Sequence, residues 1–403
     1  MSRCEERTRL LYLTAGFPFP LSSGYLRHFH LLRELACNHH LHLMSLTGPS
    51  FLPPHVEELR PFVDEVTTFS RSQRGAARRM THLLGPARPG PAAQAMARAV
   101  DDAVSSGEVD VVLLSGKDTA AAAHMIRRRV PLVVDLCDAT SHRITQALDH
   151  ASPARRAGLL VRRRGIRRIE RELVCEADAL LTASERDRTM LHEEGAPGRV
   201  LDAQVIPNGV DLAYWHRTAA TLGGAVVFCG NLGYGPNADA ARVLVAEVMP
   251  LVWEQRSQTE VVIIGTGAAP SLVRELSRPH VTLTGSVSDV RPYLERGAVF
   301  AAPLRVAAGI QNKLLEALAM ELPVVTSTTA AAGLLTGGSR PPVDVADLPA
   351  EQAAALICHL SASGGAPHRT GREWVAKRFN WERSGAALAA IVDDLHQQVR
   401  ASC

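Results

Sequence analysis

The sequence predicts an α/β protein made of two doubly wound domains in tandem, each a parallel sheet covered by helices on both faces. Three observations predict it. Short apolar runs rich in Val, Leu and Ile alternate with helical or Ala-rich stretches along the chain, the pattern of strands buried on both faces of a sheet. The alternation breaks at 207–224, where PNGVDLAYWHRTAATLGG supplies turn signals and no periodic face. The length, 403 residues, exceeds one ordinary core and suits two domains of roughly 150–200 residues.

The first series places strands at 9–15, 40–46, 63–69, 109–115, 131–136, 178–183 and 203–206. Helical periodicity or Ala-rich stretches fill 24–37, 91–105, 118–128, 154–177 and 184–194. The second series begins at once, with strands at 225–229 (AVVFC), 260–264 (EVVII), 280–284 (HVTLT), 298–302 (AVFAA) and 323–326 (PVVT). Its helices fit 237–255, 269–277, 288–296 and 312–321. Beyond 335 come a Gly/Pro-rich stretch and helices at 349–362, 369–378 and 381–400, the last long enough to cross back onto the first domain. The expected division is 1–207, 208–380 and a returning helix at 381–403. Two such domains put the carboxyl ends of both sheets around one cleft, where α/β proteins bind ligands. No internal repeat of 20–50 residues is visible.

Composition closes other routes. At 46% hydrophobic and 21% charged, the chain is neither collagenous, mucin-like nor wholly disordered. Forty-four basic against 41 acidic side chains leave +3, too balanced for a nucleic-acid coat. Lysine occurs only at Lys117, Lys313 and Lys377, which makes each one worth locating. Seven cysteines, none at C-x-x-C spacing, exclude a disulfide scaffold or a zinc ribbon and suit a reducing cytoplasm. The stretch LLYLTAGFPFPL reads as a strand entering a loop, not as a signal peptide. No window approaches 18 uninterrupted apolar residues, so no membrane-spanning segment is expected.

Two regions are Arg-dense. The 71–90 stretch mixes Arg with Gly and Pro and reads as a loop. The 154–171 stretch holds eight Arg, with Leu159, Ile166, Ile169 and Leu173 at helical spacing. It reads as a solvated helix face with an apolar underside, or as a patch for an anionic lipid or acceptor.

The strongest chemical signal is 303–326, PLRVAAGIQNKLLEALAMELPVVT. A strand ends at Ala302, a loop with Gly309 follows, and a helix starts near Asn312. Such a loop offers backbone N–H groups and a positive dipole end to a phosphate. Lys313 adds a point charge to the same group. Glu316 lies almost one turn on, where a carboxylate can accept hydrogen bonds from ribose hydroxyls. A plain helix start with one exposed Lys and one exposed Glu has the same spacing. VVIIGTGAAP (261–270) imitates a dinucleotide fingerprint, but Pro270 stands where its third Gly belongs, so an ordinary tight turn is the better reading. No G-x-x-x-x-G-K-[ST] occurs, and no H-x-x-x-H or carboxylate cluster argues for a metal. Asp135 and Asp138 follow a buried strand, as catalytic side chains of such sheets do, although one of them suits a helix or turn cap. His28 and His30 read as structural or surface residues of an amphipathic helix.

Together these residues resemble a retaining glycosyltransferase of family 4, of the GT-B class with two facing Rossmann-like domains. They are most similar to the glycosyltransferases associated with PEP-CTERM/exosortase systems. The resemblance covers nearly the whole chain. It rests on VVDLCDATSHR (133–143), ADALLTASERD (177–187), VIPNGVD (205–211), FCGNLGYGPNADA (228–240), TGSVSDVRPYL (284–294) and GIQNKLLEALAMELPVV (309–325).

The resemblance implies a nucleotide-sugar donor, a UDP-sugar before a GDP- or TDP-sugar, held by the second domain without metal or cofactor. Gly230 and Asn231 would approach the diphosphate, Gly309, Ile310 and Gln311 the sugar, Lys313 the phosphates and Glu316 the ribose. Lys313 and Asp138 are the catalytic candidates. The acceptor, a carbohydrate, a lipid-linked sugar or a natural product, would meet the first domain through loop 16–24 with Gly24, with Arg27 and Asp135 behind it. Peripheral contact with the inner face of the membrane would use 154–171, and no nucleic-acid partner is implied. The chain departs from the family at three places. The first Glu of its paired motif falls on Ala308, Ser115 and Gly116 stand where many members place a His, and LGYGPN (232–237) replaces the usual Arg and Lys. The shared architecture keeps one alternative in view, a nucleotide-sugar 2-epimerase, which needs carboxylates and His around the sugar; Ala308 and Ser115 keep another, a nucleotide-sugar-binding protein that has lost catalysis.

Overall fold

The computed structural model describes residues 7–21, 25–49, 51–71, 89–195 and 198–402. Gly24 and almost all of the 71–90 loop lie outside the described residues. The chain divides into two units, 1–208 with 381–403, and 209–380.

The first unit runs β1 (Thr8–Thr14), α1 (Leu26–Leu35), β2 (His39–Thr47), β3 (Glu65–Ser70), α2 (Pro91–Ser105) and β4 (Val111–Ser115). A 3₁₀ segment, Lys117–Ala122, leads into α3 (Ala123–Ile126). Then follow β5 (Leu132–Asp135), α4 (Thr140–Asp149), α5 (Pro153–Glu176), β6 (Ala179–Thr182), α6 (Glu185–Glu193) and β7 (Gln204–Val205). Among the described residues the seven strands are parallel, in the order β3-β2-β1-β4-β5-β6-β7. Period-two alternation makes both faces apolar. Leu11 and Leu13 of β1 join the core cluster under α2, whereas Leu10 and Tyr12 join the one holding Leu31, Leu32 and Leu35 of α1.

The second unit runs β8 (Ala225–Cys229), α7 (Gly235–Val243), α8 (Met249–Gln255), β9 (Val261–Ile264), α9 (Pro270–Leu276), β10 (Val281–Leu283), α10 (Arg291–Glu295) and β11 (Gly297–Ala302). It continues with α11 (Asn312–Ala319), β12 (Val324–Thr326), α12 (Thr328–Ala331), β13 (Asp344–Val345), α13 (Pro349–Ser361) and α14 (Arg369–Arg378). Its parallel sheet has the order β10-β9-β8-β11-β12-β13. The last helix, α15 (Trp381–Ser402), packs on α1 in the first unit. Its Leu388, Ile391 and Val392 complete that cluster, and His30 stacks on Trp381 with ring centroids 4.6 Å apart.

The differences from the expected elements have local causes. The helix expected at 237–255 passes through a π turn at Leu244–Val248. Pro250 has no N–H to return and its ring crowds the carbonyl four residues back, so the helix widens there. The helix expected at 118–128 is half 3₁₀. Helix α4 was not expected: only Ile144 and Leu148 supply an apolar stripe. Strand β13 is a two-residue exposed edge with no apolar run to announce it.

Candidate functional site

In a doubly wound sheet, ligands bind outside the carboxyl ends of the strands where the winding reverses. In the second unit that point lies between β8, which leads on to β9, and β11, which leads on to β12. The loops after β8 and β11 therefore meet there, feeding α7 and α11.

They meet through side chains. The Lys313 ammonium donates to Asn237 Oδ1, while Asn237 Nδ2 donates to the Asn231 carbonyl at 3.0 Å. Asn231 Oδ1 accepts from the Gly233 N–H at 2.9 Å. Gly230 is required by the close approach: a Cβ there would lie 2.8 Å from Asn237 Nδ2 and 3.1 Å from Lys313 Nζ. The turn after β9, which imitates a dinucleotide fingerprint, supports this loop. Thr266 O accepts from Leu232 N–H at 2.7 Å, and Gly267, at φ +82°, leaves no space for a side chain against Gly233.

Burial sets the charges. It pulls the Lys313 ammonium below its ordinary range, although Cys229 and Glu316 push the other way. It pushes the Glu316 carboxyl up to about 7, against the attraction of Lys313. The Cys229 thiol, pushed by burial up to about 12, stays protonated. Lys313 also lies 5.3 Å from the Phe228 ring centroid. The group is thus a half-buried cation, with a carboxyl that titrates near neutrality one helical turn away.

The loop before α11 is held from both sides. Arg305 pairs with Asp239 of α7 at 2.5 and 2.9 Å. Gly309 takes φ +66°, and Gln311 Nε2 turns back to the Ala308 carbonyl at 2.9 Å. The Ile310 side chain is buried, so only its backbone can face a ligand. Tyr214 is exposed on one side. Arg291 stacks 4.0 Å from its ring centroid, and Asp289 accepts its hydroxyl.

Sequence reasoning missed Asn237, Arg305 and Tyr214. The run PNADA carries a detectable signal for the first, since Pro236 opens a helix and Asn237 falls in its first turn.

In the first unit, Arg27 and Asp135 are brought together, but inward. Arg27 Nε donates to Asp135 Oδ2 at 2.8 Å, and Nη1 donates to Ile206 O and Asn208 Oδ1 at 2.8 and 3.0 Å. Both residues are buried. Burial pushes the Asp135 carboxyl up, but Arg27 more than offsets this and leaves it below the usual range. The pair fastens α1 to β5 and to the segment after β7, and leaves Arg27 Nη2 buried without a hydrogen-bond partner among the described residues. His28, beside it, donates to or accepts from the Tyr12 hydroxyl at 2.9 Å, and burial lowers its imidazole to about 4.

Asp138 is also paired. It accepts from Thr140 Oγ1 at 2.5 Å and Arg143 Nη1 at 3.2 Å, with Lys117 Nζ 3.6 Å away. Burial raises its carboxyl, and Arg143 and Lys117 pull it back below the usual range. It is an anion at neutral pH and carries no proton to donate.

The arginines of α5 divide into two groups. Arg163 Nη2 and Arg167 Nε pair with Glu194 at 3.0 and 3.6 Å, Arg168 with Glu172 at 2.7 Å, and Arg171 Nε donates to Gly195 O at 2.6 Å. Arg155, Arg156, Arg162 and Arg164 are exposed, around the exposed Leu160. No helix among the described residues is long and apolar enough to cross a membrane.

Residues 223–362, which contain Gly230, Asn237, Lys313 and Glu316, match the family model of group 1 glycosyl transferases. No curated protein matches the chain in sequence. Among solved structures the chain is similar to HepE of Anabaena in complex with UDP and glucose. Identity is 13% and TM-score 0.64, with 96% of this chain and 100% of that one covered. It is similar to sucrose-phosphate synthase of Thermosynechococcus elongatus at 15% identity and TM-score 0.69, covering 98% and 100%. A glycosyltransferase of Rickettsia africae aligns at 10% identity and TM-score 0.66, covering 97% and 99%. The fold, two Rossmann-like units each built on a parallel sheet, is that of GT-B glycosyltransferases.

Proposed function

We propose that the protein is a retaining glycosyltransferase of family 4, akin to those of PEP-CTERM/exosortase systems, that moves a hexosyl group from a UDP-sugar to an acceptor hydroxyl. The observation that carries this reading is the meeting of the Gly230 loop with Lys313 and Glu316 at the point where the second sheet reverses its winding.

The chemical difficulty is the charge that develops on the diphosphate as the glycosidic bond breaks. The α11 amino terminus, the backbone around Gly230 and the Lys313 ammonium meet that charge in a partly buried site, where such groups act strongly. Glu316 receives the ribose hydroxyls. With Lys313 supplying the positive charge, the reading needs neither metal nor cofactor. The acceptor attacks on the face the nucleotide leaves, and the departing phosphate takes its proton, so no protein nucleophile is required. Arg27 and Asp135 serve the acceptor side by holding α1 in place. Asp138 acts electrostatically, through its fixed negative charge.

The acceptor, a carbohydrate, lipid-linked or natural-product hydroxyl, decides where the enzyme works. We place it in the cytoplasm, resting on the inner membrane face through Arg155, Arg156, Arg162 and Arg164 of α5. Each contributes on the order of 1 kcal/mol near an anionic surface, and salt screens it. Co-sedimentation with anionic vesicles at low salt, lost at high salt, is the expected result. Protein left in the supernatant means a soluble acceptor.

Donor turnover tests the main reading. Incubation with UDP-α-glucose and with UDP-N-acetylglucosamine, followed by NMR, should release UDP and the α-anomer of the sugar first. First appearance of the β-anomer overturns retention. A 2-epimer of UDP-N-acetylglucosamine without UDP release makes the protein an epimerase. Binding without turnover makes it a nucleotide-sugar-binding protein.

A further inference from the structure

Resting on that reading, we propose that Asn237 is a positioning residue that aims Lys313 at the donor diphosphate while leaving its positive charge uncancelled. Three observations meet in its side chain. Oδ1 accepts from the Lys313 ammonium, Nδ2 donates to the Asn231 carbonyl at 3.0 Å, and the residue is 7% exposed. Each end of the carboxamide has a partner of the right polarity, so the amide has one orientation: its carbonyl dipole is committed to Lys313.

The choice of a neutral group matters. A half-buried ammonium needs an acceptor, because an unsatisfied buried donor is costly. A carboxylate at 237 would satisfy it, but it would also neutralise it and repel an incoming diphosphate. The amide oxygen orients the ammonium and leaves a full charge for the ligand. The other titratable groups that act on Lys313 are Cys229 and Glu316. The first is held protonated, and the second, which titrates near 7, is present in every Asn237 variant and acts alike in all of them at one pH. The same amide pins the carbonyl after Gly230, coupling the loop that receives the phosphates to the cation that binds them.

The test is calorimetric titration with UDP from pH 6 to 10, using the full chain as wild type, Asn237→Asp, Asn237→Ala and Lys313→Ala. Wild-type affinity should fall on the alkaline side as Lys313 loses its proton. In Asn237→Asp the affinity at pH 8 should fall about tenfold below that of Asn237→Ala, and the alkaline fall should move to higher pH, because the new carboxylate holds the proton. In Asn237→Ala the alkaline fall should move to lower pH, because the ammonium has lost its acceptor. This second shift carries the test even if the Asp variant fails to fold. Alkaline limbs that stay in place in both variants, or Asn237→Asp binding UDP as wild type does, reduce Asn237 to a packing residue and overturn the proposal. A wild type that binds UDP no better than Lys313→Ala removes the nucleotide reading itself, and the proposal falls with it.

Discussion

Lys313 and Glu316, three residues apart on α11, are displaced toward each other on the pH scale. Burial lowers the ammonium and raises the carboxyl to about 7, and their mutual attraction reverses neither shift. The site therefore changes charge near neutral pH, and two predictions come from Glu316.

The first concerns stability. A carboxyl that titrates near 7 when folded and near 4.3 when unfolded binds its proton more tightly in the folded state throughout that interval. Its contribution is thus fully present below about 4.3 and is lost as pH rises through 7. Glu316→Gln, which cannot ionise, should gain roughly 1–3 kcal/mol relative to wild type between pH 5 and pH 8. Urea unfolding of both proteins at the two pH values measures it. An equal gap at both contradicts the assignment.

The second concerns recognition. An ionised Glu316 accepts hydrogen bonds from ribose, so wild-type affinity for UDP should rise with pH through about 7. Glu316→Gln should weaken UDP while leaving a 2′,3′-dideoxy analogue almost unaffected. Equal weakening of both ligands would move the carboxylate away from the ribose.

Gly230→Ala probes the close approach of loop and helix. A methyl group there meets Asn237 at 2.8 Å and Lys313 at 3.1 Å, so the ammonium must move by a few tenths of an ångström or more. Misplacement of a charge aimed at the diphosphate should reduce UDP affinity about tenfold or more. The melting temperature should change little, because the displaced groups are at the edge of the core. Unchanged UDP affinity would mean that the phosphates sit elsewhere.

In the first unit, Asp135→Ala should destabilise by roughly 3–5 kcal/mol, since Arg27 would stay buried without its counter-charge. Replacing both residues with apolar ones should restore part of the loss. Chemical denaturation measures both. A mild loss in the single variant would mean that solvent reaches Arg27.

The sheets were legible because their strands are continuous apolar runs. Val226, Val227 and Phe228 are buried on both faces, as the run AVVFC announces. Helix α4 was not legible, because two buried aliphatics in ten residues make too thin a stripe. At the candidate site, Lys313 and Glu316 could be read from their spacing within one helix. Asn237 could not be joined to them, because it lies 76 residues from Lys313 and meets it only when β8 and β11 pair. Arg27 and Asp135 were both picked out, but not as partners 108 residues apart. A sequence displays local spacing, whereas burial and long-range pairing decide which charges remain available to a ligand.

The central claim is that the second unit binds the diphosphate of a nucleotide-sugar through Lys313. Calorimetric titration of the full chain with UDP, in parallel with Lys313→Ala, tests it most directly. A charge-assisted contact of this type is worth about 1.5–3 kcal/mol. UDP should therefore bind the wild type, and the variant should bind it roughly 10- to 150-fold more weakly, with UDP-glucose affected in the same proportion. Equal affinity of the two proteins for UDP, or no binding to the wild type, would contradict the account.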